Sequence, residues 1–256
     1  MAEVSQGLVL ISVVPFILAS AVVGSIGYAI ASFISFPLSL FQRQYTYKDR
    51  HVVITGGSSG IGYELAKVYI SKGAKVTIIA RDTVKLEKAA KELQLYAKCQ
   101  NLNENNIKHA SIDVSVGVEA ITKALTDSLK TFGDVDVLIN NAGVSCLFPV
   151  EDTPESEYQR MLNINVLGSI YTTKALLSSL RRRGNGRIVF ISSQAGQVGL
   201  HGYSAYSASK YAMKGFADCL QMEVRPDNIF VSMAYPPDTI TPMYEAELVN
   251  KVLSCV

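Results

Sequence analysis

Arg50-His-Val-Val-Ile-Thr-Gly-Gly-Ser-Ser-Gly-Ile-Gly62 sets a short apolar run directly against a cluster of glycines. Residues 50–55 carry charge at their start and apolar side chains within, which predicts a buried strand. An amphipathic helix is predicted over Gly60 to Lys72. Between strand and helix the glycines permit a tight turn and let main chain approach a pyrophosphate, whose charge meets free N–H groups and the positive end of the helix. A glycine cluster alone says little; placed between a strand and a helix it predicts a dinucleotide site.

The pattern repeats downstream. Lys75 to Ala80 is a second strand, followed by a helix from Asp82 to about Glu104. Ile107 to Ile112 is a third strand ending at Asp113, then a helix over Ser115 to Phe132. Val135 to Ile139 is a fourth strand, running into Asn140-Asn-Ala-Gly143. A long helix over Glu155 to Arg182, a fifth strand over Arg187 to Ile191, a helix to about Val224 and a sixth strand over Ile229 to Ala234 complete the series. Strands alternating with helices predict an α/β fold, a doubly wound parallel sheet of Rossmann type covered by helices on both faces. Ligands in such sheets bind beyond the carboxyl ends of the strands.

The second strand ends at Arg81. An acidic side chain here would accept hydrogen bonds from the ribose of NAD, whereas an arginine accommodates the extra phosphate of NADP. Arg81, with Lys85 one turn on, therefore predicts NADPH. Asp82 reads as the cap of the following helix.

Tyr206-Ser-Ala-Ser-Lys210 places a phenol and an ammonium on one helix face, one turn apart. A neighbouring positive charge favours the phenolate, so the tyrosine is expected to exchange a proton nearer neutral pH than the usual value of about 10. That is equipment for general acid–base chemistry.

A net charge of +2 gives no reason to expect nucleic acid. Cys99, Cys146, Cys219 and Cys255 lack metal spacing and read as free thiols of a reducing compartment; no metal is expected. Gly7 to Gln42 contains no charged residue, and Phe16 to Phe36 alone supplies the roughly 20 apolar residues of a transmembrane helix. Residues 1–45 are thus expected to anchor the chain in a bilayer, and residues 46–256 to form one domain. A single span, a re-entrant hairpin interrupted by Gly24, Gly27 and Pro37, and a cleaved signal peptide are the competing readings of that run. Arg43, Lys48 and Arg50 follow it, which places the domain on the cytosolic side.

Taken together, Thr55-Gly-Gly-Ser-Ser-Gly-Ile-Gly62, Asn140-Asn-Ala-Gly143, Asn165, Ser193 and Tyr206-x-x-x-Lys210 resemble the short-chain dehydrogenase/reductase family from Arg50 to Pro242. The resemblance implies catalytic roles for Tyr206 as proton donor, Lys210 as its modulator and Asn165 as support for a water-linked proton path. Ser193 or its neighbour Ser192 would hold the substrate oxygen. It implies cofactor contacts at Gly56, Ser58, Ser59, Gly60, Ile61, Gly62, Arg81, Lys85, Asp113 and Asn140, as well as Tyr206 and Lys210. Asp113 would meet adenine. Of Asn140 and Asn141, one is expected only to fix a turn.

Ser192-Ser-Gln-Ala-Gly-Gln197, Leu220-Gln-Met-Glu-Val224 and Ala234-Tyr-Pro-Pro-Asp-Thr239, with the apolar amino-terminal run, are similar to members of this family in the endoplasmic reticulum membrane that act in sphingolipid metabolism. That similarity implies NADPH-dependent reduction of a long-chain sphingoid ketone; association of the chain with a second copy is left open. The family pattern continues past Thr241-Pro242 with a further helix and a seventh strand, so the sequence reads as shortened at its carboxyl end. A microsomal retinoid or steroid reductase, and an inactive cofactor- or partner-binding membrane protein, are the alternatives.

Overall fold

The computed structural model describes residues 45–245 and Glu247. The apolar run from Gly7 to Gln42 and the anchor expected over residues 1–45 lie outside the described residues, apart from Tyr45. Among the described residues no helix is long and apolar enough to cross a membrane.

The strands are β1 (His51–Thr55), β2 (Lys75–Ala80), β3 (Ile107–Ser111), β4 (Val137–Asn140), β5 (Arg187–Ile191) and β6 (Phe230–Ala234). They form one parallel sheet in the order β3-β2-β1-β4-β5-β6. Val52 pairs with Val76 on one side and Val137 on the other, and every residue of β1 is buried. Continuous burial is what an apolar strand in the middle of a two-sided parallel sheet requires. The chain runs outward from β1 to β3 and then returns to lay β4 against the other edge of β1. Loops after β1 and β4 therefore diverge, leaving a crevice at their carboxyl ends.

The helices are α1 (Gly60–Ser71), α2 (Thr83–Cys99), α3 (Val118–Ala124), α4 (Thr126–Phe132), α5 (Glu155–Met161), α6 (Gly168–Arg183) and α7 (Ser204–Val224). Three sequence expectations are corrected. The second helix stops at Cys99 rather than near Glu104, because Asn101 turns left-handed at φ 55° and a short 3-10 turn, Glu104–Asn106, leads into β3. The helix expected over Ser115 to Phe132 is split into α3 and α4 at Leu125, and its start is delayed by Gly117 at φ 113°. The long helix over Glu155 to Arg182 is interrupted by a π-helical segment, Leu162–Leu167, between α5 and α6. Asp82 does cap α2, its carboxylate accepting from the Lys85 N–H at 3.0 Å.

Leu176 and Leu180 of α6 and Met213, Leu220 and Val224 of α7 cover Ile188 and Phe190 of β5. Each such side chain contributes roughly 1.5–3 kcal/mol by leaving water. Phe190 also meets Phe216 edge-on at 5.9 Å. At the amino ends of the strands, buried Asp136 is held between Arg50 at 2.6 Å and Arg183 at 2.7 Å and accepts the His51 N–H at 2.9 Å. Pairing on both sides is what permits a carboxylate there at all. The opposite rim carries the functional groups.

Candidate active site

The glycine turn is built from both sides of the crevice. Gly56 lies at φ 66° and Gly60 at φ 55°, the left-handed region that favours glycine. Asn141, after β4, donates from Nδ2 to the carbonyls of Thr55 at 3.0 Å and Gly56 at 3.2 Å. Thr55 Oγ1 in return accepts the N–H groups of Asn141 and Ala142, both at 2.9 Å. A methyl group on Gly62 would stand 2.4 Å from Asn141 Nδ2 and from the Gly56 oxygen, so only glycine lets α1 pack onto the turn. Ser59 caps α1 through its backbone conformation without a side-chain bond, and no acidic residue occupies the first turn. The positive helix end is left to an anion.

A cavity of about 290 Å³ opens beside this turn, lined by Gly56, Ser58, Ser59, Arg81, Lys85 and Asp113 among others. The Arg81 and Lys85 side chains stand largely in solvent, Arg81 3.9 Å from Asp113 and Lys85 3.7 Å from Asp82. Hydrogen bonds from the Ser115 N–H and hydroxyl hold the Asp113 carboxyl below its usual range against the opposing effect of burial, which is the largest single influence. A glycine turn without room for side chains, a bare helix end and two exposed cations fit a phosphorylated dinucleotide. Asn140, expected at the cofactor, lines neither this cavity nor the next. Its side chain is buried and donates to Thr173 Oγ1 at 3.0 Å, while Asn141 beside it fastens the turn.

Gly143 and Val144 also border a second cavity of about 420 Å³, which holds Ile61, Ser192, Ser193, Tyr206 and Lys210. Lys210 is buried, donates to the Ile191 oxygen at 3.0 Å, and lies 5.5 Å from the centre of the Tyr206 ring. Loss of water lowers its pKa to about 8. Burial pushes the Tyr206 phenol up, and the Ser193 hydroxyl acts the other way. The sequence expectation that the lysine charge lowers the phenol is thus corrected: desolvation is the largest influence on it and acts upward. Ser193 Oγ accepts the Ala195 N–H at 3.2 Å, whereas Ser192 Oγ is buried without a partner among the described residues.

Asn165 sits in the π-helical segment, a frequent mark of functional sites. Its Oδ1 accepts the Val144 N–H at 2.8 Å, and its Nδ2 donates to the Val144 oxygen and to Ser209 Oγ, both at 2.9 Å. Ser209 in turn donates to the main-chain oxygen of Tyr206 at 2.7 Å. Asn165 therefore ties the loop after β4 to the first turn of α7 and positions the tyrosine.

Three further groups line the larger cavity and escaped the sequence reading: Tyr203, Asp238 and Glu247. Tyr203 lies three residues before Tyr206, a spacing that shares a helix face and could have drawn notice. Nothing in the local sequence connects Glu247 to Ser145, yet the Ser145 hydroxyl donates to Glu247 Oε1 and the Tyr203 hydroxyl donates to Oε2 at 3.1 Å. Among the described residues no cluster of His, Cys, Asp and Glu suited to a metal ion occurs.

The family model described as short chain dehydrogenase matches residues 50–251. The chain is 40% identical to 3-ketodihydrosphingosine reductase of Bos taurus over 88% of its own length and 69% of the relative's. It is 43% identical to 3-dehydrosphinganine reductase of Danio rerio over 79% of its length, but spans only 60% of that protein. L-sorbose reductase from Gluconobacter frateurii, solved with NADPH and L-sorbose, is 27% identical and superposes with a TM-score of 0.71, covering 80% of this chain and 76% of that one.

Proposed function

This chain belongs to the short-chain dehydrogenase family, and from that premise we propose that it reduces the 3-keto group of 3-ketodihydrosphingosine with NADPH, forming the alcohol of a sphingoid base. The observation that carries the chemistry is the meeting of Tyr206, Lys210 and Ser193 in the cavity that adjoins the glycine turn. The substrate follows from the relatives' activity and from identity near 40% over most of the chain.

A nicotinamide held there would supply the hydride. Ser193 donates a hydrogen bond to the ketone oxygen, and Tyr206 gives that oxygen its phenolic proton as negative charge develops there. Lys210 holds a positive charge beneath the phenol and offsets the phenolate that remains. Gly56, Ser58, Ser59 and Gly60 would hold pyrophosphate, Asp113 would meet the adenine, and Arg81 and Lys85 would take the 2′-phosphate as charge-assisted partners. The uncharged run from Gly7 to Gln42, followed by Arg43 and Lys48, supports a chain held on the cytosolic face of the endoplasmic reticulum membrane. An anchored enzyme meets a long-chain amphiphile where that molecule resides, each buried CH₂ favouring the bilayer by about 0.8 kcal/mol.

Membranes carrying the chain should oxidise NADPH when given 3-ketodihydrosphingosine, and Tyr206→Phe should slow this on the order of 10²- to 10⁴-fold. Turnover of retinal or a steroid ketone in place of the sphingoid ketone would displace the substrate assignment. A rate indifferent to Tyr206→Phe would displace the acid.

A further inference from the structure

Two carboxylates line the larger cavity. Glu247 and Asp238 line the same space as Tyr206, and neither is paired with a cation among the described residues. Glu247 is half-buried and accepts from two neutral hydroxyls, those of Ser145 and Tyr203, so its full charge stays in the cavity. Lys210, the buried cation on this wall, is directed away to the Ile191 oxygen. His201, the other basic group lining the space, is exposed.

Such a carboxylate, fixed in orientation by two hydroxyls of separate elements, is a ready acceptor for a ligand ammonium. Tyr203, the residue that precedes α7, links it to the reacting group, since its ring lies 6.0 Å from that of Tyr206. In a 2-amino-3-ketone the amine sits on the carbon next to the one reduced. A carboxylate one side chain away from the phenol is therefore placed for that amine when the ketone oxygen meets Tyr206.

We propose that Glu247, assisted by Asp238, binds the ammonium of the substrate and thereby selects α-amino ketones over ketones that lack the amine. The assignment rests on the reductase reading above and adds its polar specificity. It also has a consequence for the chemistry. Glu247 and Asp238 both push the Tyr206 phenol up, in addition to burial. A substrate ammonium between them and the phenol offsets that influence when the alkoxide forms, and a ketone without the amine leaves it in place.

The test compares binding of a short, water-soluble 2-amino-1,3-diol with that of the matching diol lacking the amine, by calorimetry on the NADP-loaded protein. A long-chain 2-amino-3-ketone and the matching ketone without the amine are assayed for turnover in parallel. The wild-type chain should favour the amine roughly 10- to 100-fold, the usual range for a hydrogen bond to a charged group. Glu247→Gln should remove most of that preference, and Asp238→Asn a smaller part. Equal binding of the two diols by the wild-type chain overturns the ammonium site without any variant. A preference that persists in Glu247→Gln and in Asp238→Asn overturns it as well. If neither ketone is reduced, the reductase reading falls, while the ratio of diol affinities still decides whether an ammonium is recognised here.

Discussion

Lys210 of α7 donates to the main-chain oxygen of Ile191, the last residue of β5, at 3.0 Å from a fully buried position. One bond thus fixes the catalytic helix to the strand end that delivers Ser192 and Ser193. It also explains why the ammonium survives burial at all, since an unpartnered charge there would cost several kcal/mol.

The same burial makes Lys210 a functional group held against stability. Its pKa is lowered from 10.5 to about 8, so between those values the unfolded chain keeps a proton that the native protein has lost. Stability from this group therefore rises with pH across that window, and at neutral pH the charge is a burden. Lys210→Met should be more stable by about 1–3 kcal/mol at pH 7, while reductase turnover falls at least 100-fold. Urea unfolding of both proteins at pH 7 and pH 9.5 checks it. A less stable Lys210→Met at pH 7 would show that the Ile191 bond outweighs the desolvation.

Arg81 stands 64% exposed and only 3.9 Å from Asp113, a pairing too solvated to hold it in place. Its guanidinium is free to close on a phosphate, where bidentate geometry makes it effective. Arg81→Ala should weaken NADPH about 10- to 100-fold and NADH less than about threefold, the loss expected when one charged hydrogen-bond partner is removed. Titration of both nucleotides against the variant measures the difference. An equal loss for the two would remove Arg81 from the phosphate site.

Gly62 is where the turn tolerates least. The clash of any Cβ with the Gly56 carbonyl and with the Asn141 side chain is against main chain on one side and the fastening amide on the other. Gly62→Ala must shift α1 or break the Asn141 bonds, a backbone and packing cost of roughly 1–3 kcal/mol. It should lower thermal stability and weaken the nucleotide together. By contrast Gly215 of α7, whose added Cβ meets nothing within 4 Å, should accept alanine with a slight gain in stability. If Gly62→Ala binds nucleotide as tightly as the wild type, the turn is looser than its geometry indicates.

The six strands and the glycine turn were legible because they rest on local signals: apolar runs of strand length and glycines between a strand and a helix. Tyr206 and Lys210 were legible through their i, i+4 spacing. The electrostatic balance at that pair was not, because it depends on how deeply the helix is buried and on Ile191, which lies on another element. Asn140 and Asn141 are chemically identical neighbours, so only the alternation of side chains at the end of β4 separates the buried one from the one that grips Gly56. The π-helical segment around Asn165 has no sequence period of its own. Glu247 meets Ser145 across 102 positions, a distance over which composition and spacing carry no information.

His51 provides a pH response far from the site. The buried imidazole donates from Nδ1 to the Gly133 oxygen and accepts from Thr77 Oγ1 at Nε2, both at 2.9 Å, and Phe132 covers it edge-on at 5.4 Å. The Gly133 oxygen can only accept, so it fixes the proton on Nδ1 and leaves Nε2 to the Thr77 hydroxyl. Burial chiefly, with Arg183 and Lys75 adding to it, lowers the pKa from 6.5 to about 4 despite Gly133 and Asp136. Between those values the unfolded chain binds a proton that the native protein refuses. Stability from this group is present above pH 6.5 and is lost as pH falls toward 4, by roughly 3 kcal/mol in total. His51→Gln cannot take up that proton in either state, so its urea midpoint should change much less between pH 7 and pH 4.5 than the wild type's. Asp113 and Asp134, both held below the usual carboxylate range, release their own contribution at lower pH and leave this window largely to the histidine. Parallel declines in the two proteins would mean that another group drives acid unfolding.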